Sequence, residues 1–240
     1  GDSDISSNSY FKIYFGWYQK PLLILPFYVA SRFQMLTPLD RRKGKCIATG
    51  SFHKLTEEVP FRFYQDFMTH FDSDTYQPVR KMLYENQEPN QDWLTCHISP
   101  YREHANGSSS KVSHLLNYML VRQKKYFSIN MVDEFNNHQL AVVGEELSGF
   151  PALGAFEAMA CGCVLLAKSQ DYYRGLGLEP GKHYLLHDGT LTGIKGIVGK
   201  LTLDSNTLTG IANEGRSYVD KFMRGNFAFD RLIQFVQDQS

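Results

Sequence analysis

The 240-residue chain lacks a net charge, because its 25 Lys and Arg residues are balanced by 25 Asp and Glu residues. This balance provides no overall field for nucleic acid or an anionic membrane, so any anion site has to be local. The sequence also lacks the uninterrupted run of roughly 18 apolar residues that a membrane-spanning helix requires. A hydrophobic content of 42% excludes a disordered chain and is typical of a globular protein.

Cysteine is scarce, and the spacing of the few cysteines matches no zinc motif. The four are Cys46, Cys96, Cys161 and Cys163. We expect free thiols, a reducing cytoplasmic compartment and no metal site, rather than a disulfide framework. The stretch around Gly175 and Gly177 lacks the third glycine and the preceding strand of a dinucleotide fingerprint, which argues against NAD or FAD.

Short apolar segments alternate with helical patterns over most of the chain. Predicted strands of one largely parallel sheet cover residues 45–49, 140–143, 164–167 and 184–187, and a further strand covers 93–98 until Ser99 and Pro100 end it. Predicted helices cover residues 61–71, 78–84, 110–122, 206–224 and 226–237. Because parallel strands need helical crossovers, this order predicts an α/β fold with a Rossmann-like sheet flanked by helices. We assign residues 45–240 to this domain and residues 1–44 to an aromatic-rich N-terminal segment or interdomain linker.

One stretch, residues 144–167, is the most informative part of the chain. It joins Glu145 and Glu146 at an apolar strand end, a Gly/Ser/Pro loop, a short Ala-rich helix carrying Glu157, and a second apolar strand. This order is typical of a βαβ unit. In open α/β sheets ligands bind outside the carboxyl ends of the strands, where helix N-termini offer N–H groups to anions such as a diphosphate. We therefore expect the functional site here.

Residues 157–163, Glu-Ala-Met-Ala-Cys-Gly-Cys, followed by an apolar strand, resemble the donor-binding element of glycosyltransferases with two Rossmann-like domains, the GT-B fold. The resemblance is to the group whose signature is two glutamates flanking a Gly/Pro loop. It implies that Glu157 holds the ribose of a nucleotide sugar. The first glutamate normally lies eight residues upstream, where this chain has Gly149. The nearest carboxylates are Glu145 and Glu146, and we take Glu146 as the better catalytic candidate.

The resemblance also implies contacts to the donor from two backbone segments. Gly50 matches the glycine that ends the first strand of the donor-binding domain, and Ser51 and Lys54 lie in the loop that faces the donor phosphates. Glycines in the second loop allow backbone N–H groups to approach a phosphate. The predicted contacts of that loop are Gly149, Phe150, Pro151, Ala152, Leu153 and Gly154.

The function implied by the resemblance is that of the donor-binding half of a bacterial surface-polysaccharide glycosyltransferase. The donor substrate would be a nucleotide-diphosphate sugar, with UDP favoured, and no other cofactor is expected. The acceptor would be a glycan or a lipid-linked sugar, transfer would be retaining, and a second domain or chain would bind the acceptor. Two alternatives stay open: a non-catalytic Rossmann-like binding or assembly module, and a nucleotide-sugar epimerase of similar fold.

The segment from Tyr10 to Val29 is dense in aromatic residues but is interrupted by Lys12, Lys20 and two prolines. It has two interpretations. It is either packed in the core or between domains, or it forms an exposed surface for a partner chain, a lipid-linked acceptor or the periphery of a membrane. We predict that it contacts a second domain or chain.

Overall fold

A computed structural model describes residues 9–19, 23, 25–53, 73–101, 129–168, 171–201 and 204–238. Within these residues, five strands form one sheet in the order β2-β1-β3-β4-β5, and every pairing is parallel. The strands are β1 (Lys43–His53), β2 (Leu94–Tyr101), β3 (His138–Val142), β4 (Val164–Ala167) and β5 (Leu185–Leu186). The predicted α/β fold with a Rossmann-like parallel sheet is confirmed.

Helices cover both faces of the sheet. They are α1 (Ser9–Phe15), α2 (Pro78–Glu85), α3 (Met131–Asn137), α4 (Leu153–Ala160), α5 (Asp171–Gly175), α6 (Leu191–Leu201), α7 (Ser205–Phe222) and α8 (Phe227–Asp238), with short 3-10 helices at Leu39–Arg41 and Glu88–Asn90. Alternate strand residues point to opposite faces. Ile47 packs with Phe156 of α4 in one apolar cluster, while the neighbouring Ala48 packs with Leu83 of α2 in the other.

The strands differ from the sequence-based expectations mainly at their ends. The strand expected over residues 93–98 continues as β2 to Tyr101, so Ser99 and Pro100 do not end it. Here β2 is the edge strand of the sheet, and edge strands tolerate proline because alternate N–H groups face away from the sheet. The strand expected over 184–187 is reduced to Leu185–Leu186. The helices expected over 61–71 and 110–122 lie outside the described residues.

The later part of the N-terminal segment packs onto the sheet domain. Val29 and Phe33 are buried in the same apolar cluster as α4. The Asn136 side chain accepts hydrogen bonds from the backbone N–H groups of Leu36 (2.7 Å) and Thr37 (3.2 Å). Residues 29–37 are therefore held by the core of the sheet domain.

Large side chains remain exposed in the earlier part of this segment. The exposed fractions are 42% for Phe15, 75% for Trp17 and 50% for Phe27. These aromatic residues are therefore not part of the domain's own core. None of the helices in the described part of the chain has the length and apolarity needed to cross a membrane.

Candidate functional site

The carboxyl ends of β1 and β3 lie side by side. Ala48 pairs with Val142, so Gly50 and Gly144 follow at the same level two residues further along each strand. The adjacent β4 ends at Ala167. The N–H of the next residue, Lys168, donates a hydrogen bond to the side chain of Glu145, which follows Gly144. The sequence-predicted Gly50, Ser51, Glu145 and Glu146 thus meet along one edge of the sheet.

A segment without a recognisable sequence motif joins these two strand ends. We call residues 75–80 the bridge segment. On the β1 side, Thr75 Oγ1 donates to His53 O (2.7 Å) and Gln77 Oε1 accepts from the His53 N–H (3.0 Å). On the β3 side, the Leu147 N–H donates to Tyr76 O (2.8 Å). The bridge segment therefore fixes the spacing between the two polypeptide segments that frame the site.

Arg80, at the end of the bridge segment, is buried at the same edge. Its Nε donates to Gly144 O (2.7 Å) and its Nη1 donates to Ser51 O (2.9 Å). Its signal in the sequence is weak: it is an arginine near the start of the helix predicted over 78–84. The helical pattern predicts α2, but it does not show which residue of the helix faces the strand ends.

The two adjacent glutamates have different environments, because successive residues leaving a strand point to opposite faces. Glu145 is buried, and its Oε1 accepts the Lys168 N–H at 3.0 Å. Burial, and then the negative charge of Glu145, raise the pKa of the neighbouring Tyr173 hydroxyl. Glu145 is thus engaged with the end of β4 on one side of the sheet.

Glu146 is only half-buried and lies on the other side, against the bridge segment. Burial raises its pKa, whereas the Arg80 guanidinium and hydrogen bonds with Tyr76 and Gln77 oppose that rise. A half-exposed carboxylate held by such neighbours is available to a ligand. Of the two predicted catalytic glutamates, Glu146 is thus the less buried one.

The predicted phosphate loop leads directly into α4. Gly149 has a φ of +83°, a conformation that suits glycine, and its N–H donates to Glu146 O (2.8 Å). Phe150 stacks on Tyr172 with a centroid separation of 4.0 Å. Helix α4 begins after Ala152 with no side-chain cap, so the N–H groups of its first turn are not satisfied by a capping side chain. Uncapped N–H groups at a helix start are suited to an anion.

Glu157 lies on α4, one turn inside this helix start. A side chain at Gly154 would come within 3.9 Å of Glu157 Oε2 and within 3.4 Å of Val143 Cγ1. The Glu157 carboxylate therefore lies close to the carboxyl end of β3, since helical side chains lean toward the helix N-terminus. Burial raises the pKa of Glu157, and Arg32 opposes the rise.

The remaining predictions concern Lys54 and the cysteines. Lys54 lies outside the described residues. All four cysteines are free thiols, and burial raises the pKa of both Cys161 and Cys163 to about 12, so neither is a reactive thiolate. A cavity of about 360 Å³, lined in part by Leu39 and Gly162, lies at the amino ends of β1 and β4 and so opposite the candidate site.

The architecture defines a class: the chain has the fold of the Rossmann-like half of a GT-B glycosyltransferase. No protein-family model matches the sequence, and no curated protein matches it. Two similar solved structures are of longer chains. Sucrose-phosphate synthase from Thermosynechococcus elongatus has a TM-score of 0.55 and 12% identity, covering 99% of this chain and 57% of the synthase.

The second is a glycosyltransferase from Rickettsia africae ESF-5, with a TM-score of 0.50 and 9% identity, covering 90% of this chain and 56% of that protein. The chain thus spans a little over half the length of these glycosyltransferases. Because the sequence identities are only 12% and 9%, the structural similarity establishes the fold alone.

Proposed function

We propose that this chain is the donor-binding part of a glycosyltransferase that uses a nucleotide-diphosphate sugar, with UDP favoured as the nucleotide. The observation that carries the proposal is that Glu146, the uncapped start of α4 and Glu157 within that helix all follow the carboxyl end of β3, at one edge of a parallel sheet. Ligands of open α/β sheets bind at this edge. Two carboxylates beside an anion-binding helix start suit a molecule that has both hydroxyl groups and phosphates.

Each element has a role in the proposed reaction. Glu157 accepts hydrogen bonds from the ribose hydroxyls, and the first turn of α4 together with the loop at 149–154 receives the diphosphate. Glu146 contacts the sugar that is transferred. Departure of a nucleoside diphosphate develops negative charge, which the helix dipole and backbone N–H groups stabilise. The retaining outcome and a glycan or lipid-linked acceptor follow from the sequence resemblance alone.

The acceptor side of the site belongs, in this proposal, to a second domain or chain. The exposed aromatic side chains of Phe15, Trp17 and Phe27 support such a contact, because large apolar groups left in water mark interaction surfaces. The same surface could hold the protein at the periphery of a membrane. A vesicle-sedimentation assay on the wild-type chain, compared with a Trp17→Ser variant, separates membrane contact from contact with a protein partner.

The first test is nucleotide binding by the isolated chain. Thermal unfolding is followed with UDP, GDP and ADP, and a ligand at 100 times its dissociation constant stabilises the folded state by about 2.7 kcal/mol. We expect the largest shift with UDP. If none of the three changes the unfolding temperature, the non-catalytic assembly module becomes the better description of the chain.

The second test concerns Glu157. Replacement by Ala removes two charge-assisted hydrogen bonds to the ribose, so UDP affinity should fall by about tenfold or more while stability changes little. Glu214→Ala, an exposed glutamate on α7, is the matched control and should bind UDP as the wild type does. Isothermal titration decides between them, and equal affinities for all three proteins would remove Glu157 from the site.

The epimerase alternative has its own readout. The chain is incubated with a UDP-sugar, with and without a glycan acceptor, and the products are followed by NMR. Appearance of the epimeric UDP-sugar without acceptor would favour that alternative over glycosyl transfer.

A further inference from the structure

The side chain of Arg80 connects the two strand ends that frame the candidate site. Arg80 is 8% exposed, and its guanidinium donates both to Gly144 O, just beyond β3, and to Ser51 O, near the end of β1. Because the guanidinium is planar and rigid, the two hydrogen bonds hold the two carbonyl groups at a fixed separation. Beyond the last pair, Ala48 and Val142, the carboxyl ends of β1 and β3 are therefore linked by this side chain in addition to the other contacts of the bridge segment.

The backbone at this point is shaped around Arg80. Gly50 has a φ of +124°, and a Cβ there would lie 3.1 Å from Arg80 Nε. A Cβ at Gly144 would lie 3.2 Å from Arg80 Cγ. Both contacts are tighter than ordinary packing allows, so two glycines, one in β1 and one just beyond β3, leave the room that the arginine fills.

Arg80 also acts on Glu146. Its positive charge faces the Glu146 carboxylate, which in addition receives hydrogen bonds from Tyr76 and Gln77 of the bridge segment. These three neighbours favour the ionised carboxylate and restrict its orientation, against the desolvation that accompanies its burial. The arginine thus combines two actions, one on the backbone frame and one on the candidate catalytic carboxylate.

We propose that Arg80 is a positioning residue of the donor site, which sets the distance between the ends of β1 and β3 and holds Glu146 against the transferred sugar. The proposal rests on the proposed function. Arg80 acts through other groups, because its guanidinium donates to backbone carbonyl groups of the protein itself. The loss of Arg80 should therefore affect binding of the sugar more than binding of the nucleotide.

The test compares two buried arginines that lie at opposite ends of the same sheet. Arg80→Gln and Arg80→Lys are measured beside Arg42→Lys, whose guanidinium donates to backbone carbonyl groups at the amino ends of the strands. Affinities for UDP and for UDP-glucose are obtained by titration, and thermal unfolding is recorded for each protein. We expect Arg80→Gln to weaken UDP-glucose by about tenfold and UDP by about threefold or less.

Two further measurements distinguish positioning from a structural role. In an Arg80→Ala variant, a low, non-denaturing concentration of guanidinium chloride should restore part of the UDP-glucose affinity, whereas equal sodium chloride should not. In Arg80→Gln, the pH below which UDP-glucose affinity falls should move upward, because Glu146 has lost the positive charge that faces it. Arg42→Lys should lose stability without either change.

The outcomes separate this proposal from the function on which it rests. If the wild-type chain binds none of UDP, GDP or ADP, both are overturned. If the wild type binds UDP-glucose and the folded Arg80→Lys or Arg80→Gln protein binds it equally well, the positioning role alone is overturned. Equal weakening by Arg80→Lys and Arg42→Lys also overturns it, because a general loss of rigidity then explains the result.

Discussion

Two buried arginines at opposite ends of one sheet both donate hydrogen bonds to backbone carbonyl groups, but their surroundings differ. Arg42 is 7% exposed and donates to backbone oxygens at the amino ends of the strands. The acceptors are the carbonyl oxygens of Thr37, Phe135, His138 and Cys161. Arg80 likewise donates to backbone carbonyl groups, but at the carboxyl ends, and beside the half-buried Glu146.

The two ends of the sheet differ in the segments to which each arginine donates its hydrogen bonds. At the amino end, Arg42 holds the polypeptide before β1, the end of α3 and the end of α4, which are connections of the fold. At the carboxyl end, Arg80 holds strand ends that lead directly into a loop and a helix start suited to an anion. We therefore expect the amino end to sustain stability and the carboxyl end to sustain the proposed binding.

The largest effect on stability is expected from Arg42→Met. The substitution leaves several buried carbonyl groups without a donor, and each such group costs about 1–3 kcal/mol, so the free energy of unfolding should fall by roughly 3–5 kcal/mol. UDP affinity measured below the unfolding transition should stay unchanged. Urea unfolding and titration provide the two measurements, and a large loss of UDP affinity would break the proposed division between the two ends.

The next effect is the loss of folding stability at acid pH. Burial, and then the positive charge of Lys168, lower the pKa of His187 from 6.5 to about 4, with Asp188 opposing. The unfolded chain takes up this proton near pH 6.5 and the folded chain only near pH 4, so stability is lost as the pH falls through this window. The loss is at most about 3 kcal/mol.

His187→Asn keeps an acceptor for the Gly189 N–H, which donates to His187 Nδ1 at 3.0 Å. We expect urea unfolding of this variant to depend less steeply on pH between about 6.5 and 4 than that of the wild type. An unchanged slope would show that His187 does not carry the acid sensitivity of the carboxyl end.

Substitutions of the adjacent Glu145 and Glu146 compare a buried and a half-buried carboxylate at the carboxyl end of the sheet. Glu145→Gln weakens the hydrogen bond that the Lys168 N–H donates, so the free energy of unfolding should fall by about 1–2 kcal/mol. Glu146→Gln removes a carboxylate whose pKa is raised by burial, so stability should change less, while UDP-glucose affinity falls. Chemical unfolding and titration of both variants check this, and a reversed pattern would exchange the roles of the two glutamates.

The smallest effect is expected from Gly154→Ala. The added Cβ meets Val143 Cγ1 at 3.4 Å, an ordinary contact, and alanine favours the helix, so stability should rise by a few tenths of a kcal/mol, up to about 0.5. The same methyl group crowds the helix start where a phosphate is proposed to approach, so UDP affinity should fall. If stability and affinity both rise, the first turn of α4 does not receive the phosphates.

Much of the fold could be predicted because its signals are local. The apolar run at 164–167 is β4 without any change of boundary, and the patterns at 206–224 and 226–237 correspond to α7 and α8. The site was less predictable. Glu145 and Glu146 are adjacent in sequence, and only the direction in which each leaves β3 separates a buried structural carboxylate from a half-exposed one.

The sequence by itself determined the parallel α/β order, the loop and helix at 149–160, and the edge of the sheet at which a ligand is expected, because each depends on spacing along the chain. Only the tertiary structure decided that Arg80 lies between Gly50 and Gly144 and that Arg42 lies at the other end. Apart from Thr37, five residues from Arg42, the backbone acceptors of both arginines lie 29 or more residues away in sequence. Hydrogen bonds between distant segments follow from how helices pack on the sheet, which local patterns do not encode.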